Sequence, residues 1–299
     1  MEDYPRNIME FEKRFNTEQK CRQYFFDMKW PEGFKCPKCT HNQIWHVRRN
    51  VYQCRNCGYE TSVTSGTIFH DTRKPLQMWL RAMWYVTNQK QGISALGLQR
   101  ALGLGGYHTA WEWLHRLRHA MVRPGRDRLS GTIEVDETYI GGEHTGKRGR
   151  GSDGKALVLI AAQIDGKRIG RIRLQRIPNA SGESLESAIA ATVLPESRII
   201  TDGWEGYNRL KSLGYAHHRT KAESHVGDTL LPKCHLVASL LKRWLLGTFQ
   251  GRVLHLDYYL DEFTFRFNRR TSASRGKLFY RLVQQALTVM PVVAKELIL

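Results

Sequence analysis

Thr132-Ile-Glu-Val-Asp-Glu-Thr-Tyr139 is the stretch that decides the predicted fold of this chain. Its apolar and polar residues alternate, which is the pattern of a β-strand. The preceding residues 123–131, Arg-Pro-Gly-Arg-Asp-Arg-Leu-Ser-Gly, have the composition of a linker. From Pro75 to about Met121, before this linker, apolar residues recur at helical spacing, whereas strand patterns follow it. The chain therefore changes architecture at about residue 131.

The segments after the linker alternate between strand and helix patterns. Strands are predicted where apolar residues alternate or run continuously, and helices where they recur every three or four residues. The predicted order is β-β-β-α-β-α-β-α, with a second long helix at the end. This order indicates an α/β domain with a mixed sheet flanked by helices. The predicted elements are Thr132–Tyr139, Ala156–Ile164, Arg168–Arg176, Glu183–Val193, Arg198–Thr201, Trp204–Leu213, Tyr215–Thr220, Lys233–Leu246 and Leu254–Phe267.

Two aspartates occupy strand positions in this domain. Asp136 lies near the middle of the first predicted strand, and Asp202 directly follows the strand Arg198–Thr201. Carboxylates from two strands of one sheet can meet at an edge and hold Mg²⁺ through their oxygens. Ions held there would activate a water or a 3′-hydroxyl and stabilise the leaving oxygen in phosphoryl transfer. A single aspartate at a strand end is usually a turn former, so the prediction depends on the pair.

Four of the six cysteines form a metal-binding pattern. Two C-x2-C pairs separated by fourteen residues predict tetrahedral, structural Zn²⁺ binding, and Gly58 supplies open backbone after the second pair. The alternative is four unrelated buried cysteines. Cys21 and Cys234 have no partner motif and are predicted to pack as hydrophobic side chains. The predicted zinc ligands are Cys36, Cys39, Cys54 and Cys57.

A helical module is predicted between the cysteines and the linker. Gly92–Leu102, Gly103–Gly106 and Tyr107–Met121 have the patterns of a helix, a tight turn and a helix. This arrangement resembles a helix-turn-helix, whose second helix can lie in the major groove of DNA. A plain helical hairpin with a solvated basic face is the alternative. The second helix has a predicted core stripe of Trp111, Leu114 and Leu117. Its predicted polar face is His108, Glu112, His115, Arg116, Arg118 and His119, with His115, Arg116 and Arg118 as candidate DNA contacts.

The composition predicts a polyanionic partner. The 299 residues carry 46 Lys+Arg against 28 Asp+Glu, a formal net charge of +18. Basic side chains release condensed counterions from phosphates, which favours nucleic acid over an anionic membrane surface. The sequence shows neither a run of about 18 apolar residues nor a signal-peptide pattern. A cytoplasmic, nucleoid-associated protein is expected, in a reducing compartment where cysteines bind metals rather than form disulfides.

Two further segments concentrate positive charge. Residues 144–155 form a Gly-rich basic loop after the Asp136 strand, which predicts either a clamp on a phosphate backbone or a solvated hairpin turn. Residues 266–281 carry six basic side chains and no acid, which predicts non-specific DNA contact. Trp204 and Tyr207 are predicted to pack the helix after Asp202 rather than to stack on bases. The candidate DNA contacts are Lys147, Arg148, Arg150, Arg269 and Arg270.

The chain resembles the insertion-sequence transposases in which a zinc ribbon precedes an RNase-H-like DDE domain, the ISXO-like group of insertion-sequence family 1595. The resemblance spans nearly the whole chain. It implies a two-metal site, binding to the inverted-repeat ends of a mobile element in double-stranded DNA, and cutting and joining of those ends. Because two ends must be joined, a homodimer or larger assembly on DNA is expected. Beside the cysteine pairs, the matching stretches are Thr64–Phe69, Val135–Gly142, Thr201–Trp204, Ser239–Arg243 and Tyr259–Asn268.

The resemblance leaves the third metal ligand open. In that family a Glu, sometimes an Asn, lies seven residues before a Lys that contacts terminal DNA. Here the lysine is Lys242, and His235 stands seven residues before it. A neutral imidazole ligates divalent metals or acts as a base but adds no negative charge, so Mg²⁺ is held less tightly and Mn²⁺ tolerates the change better. His235 is favoured, with Asp228 or Glu223 as alternatives. A histidine that only caps the helix, or an inactive copy, also fits.

The sequence thus predicts three parts. Residues 1–70 are an N-terminal helix and zinc ribbon, residues 71–122 are a helix-turn-helix-like DNA-binding module, and residues 131–285 are an RNase-H-like catalytic domain. Two other functions fit the same patterns. One is a DNA-binding regulator without catalysis, which the missing third carboxylate favours, and the other is a nuclease that cuts without joining. Strand-transfer products separate these functions.

Overall fold

A computed structural model describes residues 2–48, 50–123, 125–141, 155–220, 230–248 and 255–292. The chain divides into two units, Met1–Pro124 with Ser272–Leu299, and Gly125–Thr271. This differs from the predicted division in two ways. The predicted parts 1–70 and 71–122 belong to one unit, and residues 272–285, expected in the catalytic domain, also belong to that unit.

The described residues follow the predicted order of elements closely. The elements in chain order are α1 (Ile8–Arg14), α2 (Glu18–Lys29), β1 (Ile44–Arg48), β2 (Val51–Cys54), β3 (Glu60–Thr61), α3 (Leu76–Asn88), α4 (Ala95–Leu102), α5 (Tyr107–Ala120), β4 (Thr132–Ile140), β5 (Ala156–Asp165), β6 (Arg168–Ile177), α6 (Gly182–Thr192), β7 (Arg198–Thr201), a 3₁₀ helix (Glu205–Leu210), β8 (Ala216–Arg219), α7 (Pro232–Thr248), α8 (Leu256–Phe267) and α9 (Arg275–Thr288).

Aromatic side chains form the core of the first unit. The Phe279 ring of α9 lies within 5.6 Å, centroid to centroid, of both Phe11 and Trp84. Trp79 of α3 stacks on Trp113 of α5 at 3.7 Å. Stacked and edge-on ring pairs stabilise a core beyond their buried area. The rings of α9 therefore hold the C-terminal helix against helices from the start of the chain.

Local signals fix where the helices of the first unit begin and end. The Thr17 hydroxyl accepts a hydrogen bond from the backbone N–H of Lys20, and Ser94 does the same for Gly97, which are N-caps of α2 and α4. Helix α4 ends at Gly103, whose φ of 62° is the left-handed conformation of a helix C-cap. The predicted helix, turn and helix of the module are therefore present.

Gly276 of α9 lies where the backbone leaves no room for a side chain. A Cβ added there would lie 1.8 Å from the carbonyl oxygen of Pro5, a backbone atom that cannot move aside freely. We expect Gly276→Ala to lower the free energy of unfolding by about 1–3 kcal/mol, because overpacking outweighs the gain in helix propensity. Urea unfolding measures this, with Gly105→Ala, which meets nothing within 4 Å, as the control. Equal midpoints for the two variants would contradict the expectation.

The second unit is built on a five-stranded mixed sheet with the strand order β6-β5-β4-β7-β8. Strands β4, β5 and β6 are antiparallel, whereas β7 is parallel to β4 and to β8. Helices α7 and α8 pack on one face of the sheet, and α6 with the 3₁₀ helix packs on the other. The predicted α/β domain with a flanked mixed sheet is confirmed.

Two details differ from the predicted elements. The burial of β4 does not alternate, since Ile133, Glu134 and Val135 are all buried. The reason is that β4 is the central strand, so both of its faces are covered. The predicted helix Trp204–Leu213 is only a 3₁₀ helix over Glu205–Leu210. No helix among the described residues has the length and apolar character needed to cross a membrane.

The outer edge of β6 is closed by side chains that follow α8. Asn268 accepts a hydrogen bond from the backbone N–H of Ile172 at 2.7 Å and donates one to the Ile172 carbonyl at 3.1 Å. Arg270 donates to the carbonyl oxygens of Gly170, at 3.3 Å, and of Ile169. These side chains occupy backbone groups that an added strand would need.

Candidate metal centre and active site

The four predicted zinc ligands lie together. Among the described residues, this cluster alone brings three or more His, Cys, Asp or Glu ligand atoms within 4.8 Å of one another. The Sγ atoms of Cys36 and Cys57 are 3.7 Å apart, and those of Cys39 and Cys54 are 3.5 Å apart. Four sulfurs about 2.3 Å from a tetrahedral zinc ion would lie roughly 3.8 Å from each other. The cluster therefore fits zinc.

The two C-x2-C turns have the same backbone geometry. Thr40 and Gly58 both adopt a positive φ, at 61° and 68°. Each donates its backbone N–H to the carbonyl of the first cysteine of its pair, Cys36 or Cys54, at 2.9 and 3.0 Å. The backbone N–H of His41 lowers the pKa of Cys39 to about 6, because this hydrogen bond stabilises a thiolate. The open backbone expected at Gly58 is observed, and Thr40 is its counterpart in the first turn.

The parallel register of β4 and β7 aligns the two candidate aspartates. Thr132 pairs with Arg198, and Glu134 pairs with Ile200. The same offset continued by two residues places Asp136 beside Asp202, at the point where β7 ends. Neighbouring strands are about 4.8 Å apart, so the two carboxylates lie close together on one face of the sheet, where β7 ends. The backbone N–H of Trp204 donates to Asp202 at 3.0 Å and fixes the turn that carries it.

The surroundings of Asp136 favour a bound cation. Its pKa is raised to about 6, first by burial and then by the neighbouring carboxylates of Glu137 and Asp202. Glu137 is held from the other side by Tyr207, whose hydroxyl donates to it at 2.6 Å. Negative charges kept close together in a partly buried place are stabilised by a positive ion.

Tyr207 is fully buried, and the Trp204 indole donates to the Ala180 carbonyl, so both residues pack as predicted.

His235 lies in the first turn of α7, beside Asp136. Its Nε2 is 3.3 Å from Oδ2 of Asp136, and its ring is half exposed. The ligand atoms of Asp136, Asp202 and His235 do not all lie within 4.8 Å of one another, so this set is more open than the cysteine cluster. The alternatives Asp228 and Glu223 lie outside the described residues, as do Lys147, Arg148 and Arg150 of the basic loop.

Glu134 is a residue that sequence reasoning missed. Its side chain is only 5% exposed, and it points to the same face of β4 as Asp136, two residues away. Its Oε2 accepts the backbone N–H groups of Lys233 at 2.7 Å and Cys234 at 3.1 Å. Pro232 at the helix start has no N–H, so Glu134 satisfies the donors that α7 would otherwise leave unpaired. The contact fixes the helix end from which His235 reaches Asp136.

Glu134→Leu is expected to destabilise the second unit by about 1–3 kcal/mol for each backbone N–H left without an acceptor. Glu134→Gln keeps a carbonyl acceptor and is expected to lose less. Amide hydrogen exchange at Lys233 and Cys234 should become faster in the leucine variant than in the glutamine variant. Unchanged exchange and stability in the leucine variant would show that Glu134 does not hold the helix.

Lys242 lies on the same side of α7 as His235. The two residues are seven positions apart, which is two turns and about 10 Å along the helix axis. Lys242 is exposed, as is Ser239 between them. An exposed stripe that runs from His235 to Lys242 therefore begins at the carboxylate of Asp136. Cys234, on the buried side of the helix, is 0% exposed, and so is Cys21 in the first unit, as predicted.

Two of the three DNA contacts predicted on α5 are buried in the structure, which a contact with DNA does not fit. His115 is 0% and Arg118 is 2% exposed, because this side of the helix is packed inside the first unit. The His115 ring lies 4.1 Å from that of Trp111. Arg116 is partly exposed and pairs with Glu112 at 2.5 Å. Helix α5 thus buries Trp113, rather than Trp111, with Leu114 and Leu117 in its core stripe.

The arginines at the end of α8 and just after it, which were predicted to contact DNA, make contacts within the protein. Arg270 donates to three backbone carbonyls and covers the Phe267 ring at 4.0 Å. Arg269 lies over Phe265 at 4.1 Å, and Arg266 pairs with buried Glu262 at 2.7 Å. Arginine carbon stems cover apolar surface while the guanidinium groups satisfy carbonyls. These side chains hold the end of α8 in place, which their spacing in the sequence did not reveal.

The mixed α/β domain and the four-cysteine cluster each lie in a segment that matches a known transposase domain. Residues 128–268 match the ISXO2-like transposase domain, and residues 16–60 match the transposase zinc-ribbon domain. A protein in transposable element ISH50 of Halobacterium salinarum is 26% identical over 260 residues, which cover 78% of this chain and 85% of that protein. The chain is thus similar to insertion-sequence transposases in which a zinc ribbon precedes an ISXO2-like transposase domain.

Proposed function

We propose that this protein binds the terminal inverted repeats of a bacterial insertion sequence and catalyses metal-dependent cleavage and strand transfer at its ends. The observation that carries the proposal is the register that sets Asp136 beside Asp202, with His235 3.3 Å from Asp136. The strand order, three antiparallel strands followed by two parallel ones, supports an RNase-H-like assignment for the second unit. In this proposal residues 131–270 carry the chemistry.

Asp136, Asp202 and His235 are the ligands we propose for Mg²⁺ or Mn²⁺. Such ions, when bound, activate the attacking hydroxyl and stabilise the leaving oxygen of a phosphodiester. The open arrangement suits ions that keep water and phosphate oxygens among their ligands. His235 supplies one imidazole nitrogen where a carboxylate would add a charge. The residues therefore hold Mn²⁺ better than Mg²⁺, since imidazole suits the softer ion.

The remaining residues position DNA. Lys242, two turns from His235 on the same side of α7, binds a phosphate near the cleaved end. The zinc ribbon and the helical module of the first unit bind the repeat outside the catalytic centre. Because two element ends have to be joined, the active form is a dimer or larger assembly on DNA. We place this activity in the cytoplasm, on the nucleoid.

The test is cleavage and joining of a labelled duplex that carries the element's own terminal repeat, in Mg²⁺ and separately in Mn²⁺. Wild type is expected to cut and join, faster in Mn²⁺. His235→Ala is expected to lose activity in both metals, whereas His235→Glu, which restores a carboxylate, should shift the preference toward Mg²⁺. His218→Ala, an exposed histidine on β8, is the matched control. Tight binding by wild type without cutting in either metal would make the chain a DNA-binding regulator, and nicks without joined products would make it a nuclease.

A further inference from the structure

The outer face of the zinc-ribbon sheet is exposed to solvent and carries an aromatic ring. All residues of β1 after Ile44 are exposed, and the Trp45 side chain is 53% exposed. In the register of the sheet, Trp45 pairs with Gln53, which pairs in turn with Glu60. These three residues share one face, away from the buried side chain of Tyr52. The Trp45 ring is therefore available for contact with a partner.

Arg55 is held against this tryptophan. Its guanidinium carbon lies 5.5 Å from the Trp45 ring centroid, and its Nε–H donates to the carbonyl of Ile44 at 3.3 Å. Its terminal NH₂ groups have no protein partner among the described residues. The pair is thus pre-oriented, with an exposed cation beside an exposed ring. We call Trp45 and Arg55 the ribbon pair.

Charge identifies the kind of partner. Glu60 is the single acid between residues 34 and 60, and it pairs with Arg48 at 2.6 Å. A second copy of this chain, with its net charge of +18, is a poor partner for so basic a surface. Phosphates match the cations, and the ring matches sugars and base edges. The basic residues of the segment are Lys35, Lys38, Arg48, Arg49 and Arg55.

The burial of α5 strengthens this assignment. Two of the three basic side chains that the sequence offered for DNA contact on α5 are inside the first unit. The ribbon pair, by contrast, is exposed and set by hydrogen bonding. If the first unit binds DNA, the pre-oriented Arg55 cation and Trp45 ring are therefore available on the ribbon for that contact.

We propose that the ribbon pair is a DNA-contact site, in which Arg55 binds a backbone phosphate and the Trp45 indole packs against the adjoining sugar and base edge. The partner is double-stranded DNA, and the site rests on the proposed function in that the DNA is an element end. The site adds to that function a surface of the zinc ribbon that contacts the DNA.

The test measures the affinity of the full-length, zinc-loaded protein for a repeat duplex and for a scrambled duplex over a series of salt concentrations. Arg55→Ala is expected to weaken binding to both duplexes similarly and to reduce the salt slope by about one. Trp45→Ala is expected to weaken binding roughly tenfold, as loss of an aromatic contact does. Arg6→Ala and Met9→Ala, exposed positions on or near α1 in the same unit, are the matched controls and should change neither quantity.

Zinc content and unfolding midpoints verify that each variant is folded. Folded Trp45 and Arg55 variants with wild-type affinity and salt slope would overturn the proposal. Variants that change the sedimentation of the DNA-free protein but not its affinity would also overturn it, since the face would then join two copies. Cleavage of the repeat duplex by wild type is measured in the same preparation. Its absence would count against the transposase proposal and not against the ribbon pair, which is judged by binding alone.

Discussion

Asp136→Asn is expected to lower the rate of end cleavage roughly a thousandfold or more, equivalent to about 4 kcal/mol of transition-state stabilisation. The change keeps the shape of the side chain and removes the charge that lies beside Asp202 and His235. DNA affinity should be unchanged or higher, because a carboxylate that repels phosphate is gone. Single-turnover cleavage in saturating protein measures the rate without interference from binding.

The matched control for this variant is Asp165→Asn, at the exposed end of β5 in the same sheet. It removes the same charge from the same unit at a position remote from Asp136 along its paired strand. A control as inactive as Asp136→Asn would assign the loss to net charge or folding. An Asp136→Asn variant that cleaves within about tenfold of wild type would contradict the assignment of Asp136 as a metal ligand.

Zinc removal is expected to unfold the ribbon. A module of residues 34–60 is too small to bury an adequate core, so the four thiolate bonds, worth about 10–16 kcal/mol, are its main source of stability. Cys54→Ser or treatment with a chelator should make this segment cleavable by protease, while the aromatic core of the first unit stays resistant. Limited proteolysis with mass analysis locates the cuts.

Cys21→Ala provides the comparison for the zinc variants, because Cys21 is buried outside the cluster and donates to the Phe15 carbonyl. It should retain one zinc per chain and resist protease within residues 34–60. Apo protein that remains resistant there would show that the ribbon folds without its metal. Zinc lost from the Cys21 variant would show that the metal depends on more than the four cluster sulfurs.

The order of elements was predictable because each segment of the second unit carries its own periodicity. The strands Ala156–Asp165 and Arg168–Ile177, and the turns at Gly103 and Gly58, depend on residues close in sequence. The cysteine spacing likewise predicts its cluster, since a C-x2-C turn places two sulfurs on one side of an ion. Local patterns therefore gave the elements and the zinc ribbon.

Contacts between distant residues were not predictable in the same way. Glu134 caps a helix that begins almost a hundred residues later, and nothing around it marks it as a cap. The burial of His115 and Arg118 escaped prediction because helical spacing shows which residues share a side, but not how many sides are covered. Helix α9 joins the first unit through Phe279 and Gly276, far from the residues they contact. The roles of Asp136, Asp202, His235 and Lys242 stay predictions.

The side chains of Asn268 and Arg270 occupy backbone groups at the β6 edge, and this affects whether the sheets of neighbouring copies can pair. The proposed function brings two element ends together and so concentrates several copies in a small volume, where open strand edges would allow the sheets of neighbouring copies to pair. At β6 the N–H and carbonyl of Ile172 are already occupied, and β8, at the other border, is only four residues long and bears His217, His218 and Arg219. The β6 border is thereby occupied and the β8 border is short and basic, and both features limit pairing between the sheets of neighbouring copies.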